Sequence, residues 1–285
     1  MKILVLGPRG YVGQGVQQML GGAATLCRLG EFSPGMAKGY DAVVNCAGMS
    51  DVQACENNEA LTRRVNVLET LHALECCARA GVRAIQISTS CVWNGPYNNG
   101  NPFKPDDPVD PQCSYARSKA ECDDEIKKEM KGRVWILRPR QIFSEHLSIR
   151  NALFRYRMPA YARMVDESNS MTSLSTLMRT IAILVHRTPQ GSGIVSVYDR
   201  GITSPYRVAI SLSELGLRAR PALISQQDLD GILRPKRVNT TLEDGFFEQI
   251  VAPPRIEDQI KKFVGRLKHE LARANSKSTY GGDRR

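Results

Sequence analysis

The chain is expected to fold as a doubly wound α/β protein, a parallel sheet with helices on both faces. Two observations predict it. The apolar run Lys2-Ile-Leu-Val-Leu6 suits a strand buried on both faces. It passes directly into Gly7-Pro-Arg-Gly-Tyr-Val-Gly13 and an amphipathic pattern through Leu20. Further short apolar runs then alternate with helical patterns, as units with right-handed crossovers between parallel strands require. At 285 residues the chain can hold one large domain or a domain with an appendage.

Strand, glycine turn and helix start form the context in which such a motif indicates dinucleotide binding. Gly7, Gly10 and Gly13 let the backbone approach a pyrophosphate, whose charge a helix N-terminus favours. Arg9, Tyr11 and Val12 share the turn. The spacing is Gly-x-x-Gly-x-x-Gly, and a tight βα turn with no ligand is the plainer alternative. Ala24 to Leu29 reads as the second strand. There Arg28 stands where an NAD-specific protein usually carries an acid, and an arginine accepts a ribose phosphate instead. With Arg9 assisting, NADP(H) is the expected cofactor; Glu31 nearby keeps NAD(H) open, and both arginines also suit plain solvated charges.

Tyr40 to Gly48 reads as the third strand, its small terminal residues Cys46, Ala47 and Gly48 admitting adenine or ribose. Residues 56 to 80 carry a long helical pattern, which Gly81 closes. Arg83 to Ser90 is the next strand, and its end turns from apolar to hydroxylic in Ile87-Ser-Thr-Ser-Cys-Val-Trp-Asn-Gly95. Strand ends of this kind are where ligands sit in α/β sheets. Tyr115 lies four residues before Lys119 at the start of a helical pattern, so phenol and ammonium share one face.

That grouping suits reduction of a carbonyl or the reverse reaction. Hydride arriving at a carbonyl carbon leaves an alkoxide that needs a proton. Tyr115 can supply it, and Lys119 is expected to lower a phenol pKa that is ordinarily about 10. Thr89 or Ser88 would hydrogen-bond the substrate oxygen. Taken alone, Tyr-x-x-x-Lys is also what a solvated helix face produces, so the preceding strand and glycine turn carry the reading.

The net charge of +10 admits an anionic ligand, while the scattered basic residues give no nucleic-acid surface. The eight cysteines show no paired Cys-x-x-Cys and favour reduced thiols over a disulfide framework or zinc site. The four histidines lie far apart, so no metal site is expected. The few apolar residues before Gly7-Pro8 are too short a run for a signal-peptide core, and no later run approaches membrane-spanning length. A cytoplasmic protein with no membrane or nucleic-acid partner is expected.

Asn98 to Pro111 reads as an ordered loop, either a surface loop or a substrate lid. Residues 144 to 175 are basic and Met-rich. Leu174 to His186 and Ser204 to Leu215 read as helices and Gly193 to Tyr198 as a late strand. Ile256 to Ala274 reads as a terminal helix docking through an apolar stripe, and Asn275 to Arg285 as a disordered tail.

These motifs, together with Arg64-Val-Asn66-Val, Arg138-Pro139 and the late segment Arg234-Pro-Lys-Arg-Val-Asn-Thr-Thr-Leu242, resemble the extended short-chain dehydrogenase/reductases. Within them the resemblance is to the dTDP-4-dehydrorhamnose reductase branch, over roughly residues 1 to 270. It implies a Rossmann-type domain over residues 1–143 plus later returning segments, and a substrate-binding lobe mainly over 144–274. It implies Tyr115 as proton donor, Lys119 as its tuning partner on the nicotinamide ribose, and Thr89 orienting the carbonyl. Asn66, Ser88 and Arg138 would join the cofactor site, and Ser90, Cys91, Trp93 and Gln141 the substrate site. The implied reaction is reduction at C4 of a nucleotide-linked 4-keto-6-deoxy sugar, in a chain that a homodimer would suit.

The branch hallmark Ser-Thr-Asp-Tyr-Val-Phe-Asp-Gly is altered here. Ser90, Cys91, Trp93 and Asn94 replace Asp, Tyr, Phe and Asp, and Gln141 replaces a usual tryptophan. Retained Thr, Tyr and Lys among changed neighbours imply redox chemistry on a different sugar or base. Two alternatives remain. One is a non-catalytic NADP-binding regulatory subunit, like that of methionine adenosyltransferase. The other is a nucleotide-sugar epimerase or dehydratase of the same superfamily.

Overall fold

The computed structural model describes residues 1–186 and 191–279. In chain order the first half holds β1 (Ile3–Leu6), α1 (Tyr11–Leu20), β2 (Ala24–Cys27), β3 (Ala42–Asn45), α2 (Val52–Asn57) and α3 (Glu59–Arg63). A π-helical segment, Arg64–Glu69, leads into α4 (Thr70–Arg79), β4 (Arg83–Ile87), α5 (Ser114–Glu129) and β5 (Val134–Pro139). The second half adds α6 (Ala152–Arg155), β6 (Arg163–Met164), α7 (Leu174–His186), β7 (Gly193–Val197) and α8 (Pro205–Glu214). It ends with β8 (Ala222–Leu223), α9 (Gln226–Ile232), α10 (Gly245–Val251) and α11 (Ile256–Thr279).

Six strands form one parallel sheet in the order β2-β1-β3-β4-β5-β7. The chain reverses direction across the sheet between β1 and β3, the switch point where doubly wound folds bind ligands. Register then decides what meets there. Leu6 pairs with Asn45, and Asn45 with Gln86, so the segments after β1, β3 and β4 emerge along one edge.

β1 is completely apolar because both its faces are covered. Leu4, Val5 and Leu6 have no exposure, and burying each contributes about 1.5–3 kcal/mol. On one face Val5, Val44 and Val195 pack with Val16 of α1, Leu177 and Ile181 of α7, and Phe247 of α10. On the other, Leu4, Leu6 and Val43 pack with Leu74 and Cys77 of α4 and Ile126 of α5. A third cluster lies outside the sheet. Leu153, Tyr156, Met164, Val208 and Leu212 meet Phe263 and Leu267 of α11 there. α7, β7 and α10 therefore return to the sheet, while α6, α8 and the small β6-β8 pair build the lobe beside it.

Some expected boundaries change for local reasons. The helical pattern of residues 56–80 is broken at Asn58, whose side chain accepts from Leu61 N to start α3, and again by the π-helical turn. Residues 275–279 continue α11, correcting that part of the expected tail; residues 280–285 lie outside the described ones. The 98–111 loop is packed down: Phe103 is buried and stacks on Trp93 at 5.4 Å. All eight cysteines are free thiols. Among the described residues no helix is long and apolar enough to cross a membrane, and no cluster of His, Cys, Asp and Glu is arranged for a metal ion.

Candidate active site

The glycine turn is built so tightly that side chains are excluded from it. Gly7 has φ +74°, and a Cβ there would lie 2.6 Å from the Ala47 backbone. A Cβ on Gly13 would collide with the Gly7 carbonyl. α1 starts at Gly10 with neither a side-chain cap nor an acid in its first turn. Its first amides thus have no competing side-chain group, and the residues present fit a dinucleotide's pyrophosphate. Val12 follows in that turn, half-buried against the core. Tyr11 donates its hydroxyl to Ser144 Oγ at 2.6 Å, and burial raises its pKa. Arg9 is exposed, and Arg28, just past β2, sits 3.3 Å from Glu31, both exposed.

After β3, Ala47 N donates to Asn45 Oδ1 at 3.0 Å, turning Cys46, Ala47 and Gly48 toward the same edge. A Cβ on Gly48 would sit 3.0 Å from Asn66 Oδ1 and 3.3 Å from Lys119 Nζ. Asn66 comes from the π-helical turn, a local widening of the helix often found at functional sites. Its Oδ1 accepts from Met49 N at 2.8 Å, and its Nδ2 donates to Met49 O and Ser118 Oγ, each at 3.0 Å. Burial pushes the Cys46 thiol up to about 12, against the opposing field of Lys119.

The candidate catalytic groups converge at the end of β4. The Thr89 hydroxyl lies beside the Tyr115 phenol, and Cys91 N donates to Thr89 Oγ1 at 3.1 Å. Lys119, one turn along α5, is buried and donates to Ile87 O at 3.0 Å; burial lowers its pKa. The phenol behaves differently from the expectation. Burial raises the Tyr115 pKa, with the nearby Cys91 adding to the rise and the Thr89 hydroxyl opposing it. Desolvation of the phenolate outweighs any lowering by Lys119.

Four of the expected ligand residues are buried and hydrogen-bonded within the protein. Ser88 donates to Asp123 Oδ2 at 2.8 Å, and Arg138 Nε donates to the same oxygen at 2.9 Å. Ser90 has no exposure and donates to the Pro139 carbonyl at 3.3 Å. Trp93 is fully buried, its Nε1 donating to Asp107 O at 3.2 Å and its ring beneath the Arg138 guanidinium.

Cys91 and Gln141 remain at the mouth, partly exposed. Gln141 has φ +42°, and its Oε1 accepts from Tyr156 at 2.6 Å and Asn169 at 2.9 Å. Its amide nitrogen is thereby turned the other way. Arg140, which the motifs did not single out, is buried and bonds Asn169 Oδ1, Cys91 Sγ and the Val238 carbonyl. Its signal was a second arginine at the end of an active-site strand.

Residues 35–199 match the RmlD substrate binding domain family. The chain belongs to this family. A dTDP-4-dehydrorhamnose reductase of Mycobacterium tuberculosis is 42% identical over 81 residues, 28% of this chain and 27% of that protein. The aligned stretch thus spans about a quarter of that relative. The structure of a dTDP-4-dehydrorhamnose reductase ortholog from Clostridium acetobutylicum superposes with TM-score 0.79 at 20% identity, covering 94% of this chain and all of that one. A dTDP-4-dehydrorhamnose reductase from Bacillus anthracis, in complex with NADP, gives TM-score 0.75 at 17% identity, covering 93% and 98%. The Rossmann-type α/β fold and the RmlD-like branch of the extended short-chain dehydrogenase/reductases are those expected from the motifs.

Proposed function

We propose that this member of the RmlD family is an NADPH-dependent reductase of a nucleotide-activated 4-keto-6-deoxy sugar. The observation that carries the reading is the grouping of Thr89, Tyr115 and buried Lys119 at the end of β4, at the sheet edge that also carries the glycine turn. Gly7, Gly10 and Gly13 with the first amides of α1 would hold the dinucleotide diphosphate, and Arg9 and Arg28 the ribose phosphate. Cys46, Ala47, Gly48, Asn66 and Lys119 would line the ribose path. The bound cofactor supplies hydride to the C4 carbon.

The chain's own residues manage the oxygen. A raised phenol pKa keeps Tyr115 protonated at neutral pH, so it can donate as charge develops on the carbonyl oxygen. The Thr89 hydroxyl fixes the phenol and reaches the same oxygen. Lys119, held by the Ile87 carbonyl, supplies positive charge that favours phenolate after transfer. Cys91 and Gln141 would contact the sugar, and their departure from the branch pattern points to a sugar or base other than that of dTDP-rhamnose synthesis. With this reading go a cofactor half over residues 1–143 completed by α7, β7 and α10, a substrate lobe within 144–274, and a cytoplasmic setting.

The test is NADPH consumption against dTDP-, UDP- and GDP-linked 4-keto-6-deoxy sugars, with NADH in parallel. Tyr115→Phe is expected to lower turnover by about 10²–10⁴ while leaving NADPH affinity nearly intact. A fully active variant removes Tyr115 from the mechanism. NADPH binding without turnover of any sugar favours the regulatory-subunit reading, and turnover without net NADPH oxidation favours an epimerase or dehydratase.

A further inference from the structure

Tyr115 is the second residue of α5, so the start of that helix sets where its phenol stands beside Thr89. α5 does not cap itself. Cys113 occupies its N-cap without a side-chain hydrogen bond to the helix, and no acid lies in the first turn. The first amide is satisfied from another helix: Ser114 N donates at 2.8 Å to Oε2 of Glu56, 58 residues earlier on α2. A helix start is ordinarily capped by the side chain of its own N-cap residue. The borrowed carboxylate both satisfies the amide and ties α5 to α2.

Neighbouring contacts hold the same joint. Ser114 Oγ donates to Glu59 Oε1 at 2.5 Å, and Arg117 Nη2 donates to the same oxygen at 2.8 Å. One turn along, Asn66 Nδ2 donates to Ser118 Oγ at 3.0 Å, and that hydroxyl donates to the Tyr115 carbonyl at 2.8 Å. The platform beneath is itself fixed. Asp51 caps α2 by accepting from Ala54 N at 2.8 Å, Asn58 caps α3, and Thr62 Oγ1 of α3 donates to the Cys55 carbonyl at 3.2 Å. Exposure separates the two acids: the Glu59 side chain is 64% exposed and the Glu56 side chain 32%, while Ser114 is buried. A water-facing ion pair such as that of Glu59 contributes little, which leaves Glu56 as the stronger hold on the helix start.

We propose that Glu56 is a positioning residue for proton transfer, its carboxylate holding the first turn of α5 where the Tyr115 phenol can meet the substrate oxygen. It rests on the reading of Tyr115 as proton donor. Glu56 acts through the Ser114 amide and not on the reacting atoms. A proton donor works only within hydrogen-bond reach of the oxygen it serves, and a misplacement of about 1 Å can cost about 100-fold in rate. Reach decides more than charge here, because the Ser114 amide needs an acceptor at that one place. The stretch from α2 to the π-helical turn thereby aligns the proton donor as well as carrying Asn66.

Full-length wild type, Glu56→Gln, Glu56→Asp and Glu56→Ala are compared in NADPH-dependent turnover of the sugar nucleotide that the wild type reduces, with thermal melting alongside. Glutamine keeps an acceptor at the same reach without the charge, and aspartate keeps the charge but withdraws it by one methylene. kcat is expected to fall about 10–100-fold in Glu56→Ala and Glu56→Asp and to stay within about threefold of wild type in Glu56→Gln, with KM for both substrates unchanged. A lowered melting temperature with wild-type kcat marks a merely structural acid and overturns the proposal, as does a Glu56→Asp enzyme faster than Glu56→Gln. A second readout needs no substrate: the ¹³Cζ resonance of labelled Tyr115, assigned by its absence from Tyr115→Phe. It is expected to move in Glu56→Ala and Glu56→Asp and to hold in Glu56→Gln; a resonance unmoved in all three overturns the proposal. A wild type that reduces no sugar while the resonance follows the expected pattern removes the functional reading and supports the alignment of Tyr115 by Glu56.

Discussion

Replacing Arg138 with methionine asks whether the arginine belongs to the core or to a ligand. Its Nε lies 2.9 Å from Asp123 Oδ2, with the two side chains 2% and 1% exposed. Asp123 keeps only the Ser88 hydroxyl once the guanidinium is gone, because its Oδ1 has no partner. Breaking one side of a buried pair costs about 3–5 kcal/mol. Losing the cation over Trp93, 4.9 Å from the ring centroid, adds about 0.5–2 kcal/mol. Against a typical stability of about 5–15 kcal/mol, this is a large share. Urea unfolding followed by circular dichroism should therefore show Arg138→Met destabilised by about 4 kcal/mol or more. The double variant Arg138→Met with Asp123→Leu should regain most of that loss, since no unpaired charge stays buried. NADPH affinity of the folded protein should not change. A loss below about 1 kcal/mol, or a double variant as poor as the summed singles, would refute the coupled-pair reasoning. Weakened NADPH binding at unchanged stability would return Arg138 to the cofactor site.

Asp199 predicts a pH signature: fully buried, it accepts from Ser173 and Thr176, and burial pushes its carboxyl from 3.8 up to about 6. The native state then binds more protons than the unfolded chain between about pH 4 and 6, so stability falls by about 3 kcal/mol as pH rises through that window. Asp199→Asn should flatten this slope in urea unfolding, and an unchanged slope would clear Asp199. Gly7→Ala places a methyl against the Ala47 backbone at φ +74° and should cost about 1–3 kcal/mol and abolish NADPH binding. Gly22→Ala, whose Cβ meets nothing within 4 Å, is the neutral control. Arg28→Ala should raise KM for NADPH by about tenfold and leave NADH unaffected if Arg28 reads a ribose phosphate; equal effects on both would remove that role.

What could be read from the sequence was what local rules govern. β1 with its glycine turn, the end of β4, and Tyr115 with Lys119 on one helical turn each follow from runs, periodicity and spacing within a few residues. The facing of Ser88, Ser90, Trp93 and Arg138 does not. Each lies in or beside a site motif, yet the side chain turns to partners 14 to 49 residues away, such as Asp107, Asp123 and Pro139. Strand alternation offered a hint, since Ser88 and Thr89 must point to opposite faces. The rise in the Tyr115 pKa was hidden for a related reason: spacing shows that a cation is near, but not how far the phenol is removed from water.

The late arrival of β7 shapes how the chain can be made. Its residues pair with β5 across a separation of nearly 60 positions, Trp135 with Gly193. A nascent chain that has emerged only as far as residue 143 holds five of the six parallel strands, with β5 as a raw edge and one sheet face still lacking α7 and α10. Such an edge is a template for pairing with another chain. The first half is thus not an independent folding unit during synthesis, and its exposure lasts until the ribosome has added the segment that returns from the lobe. A fragment cut at the sequence boundary between the halves would carry the whole nucleotide motif and still lack the strand that closes its sheet.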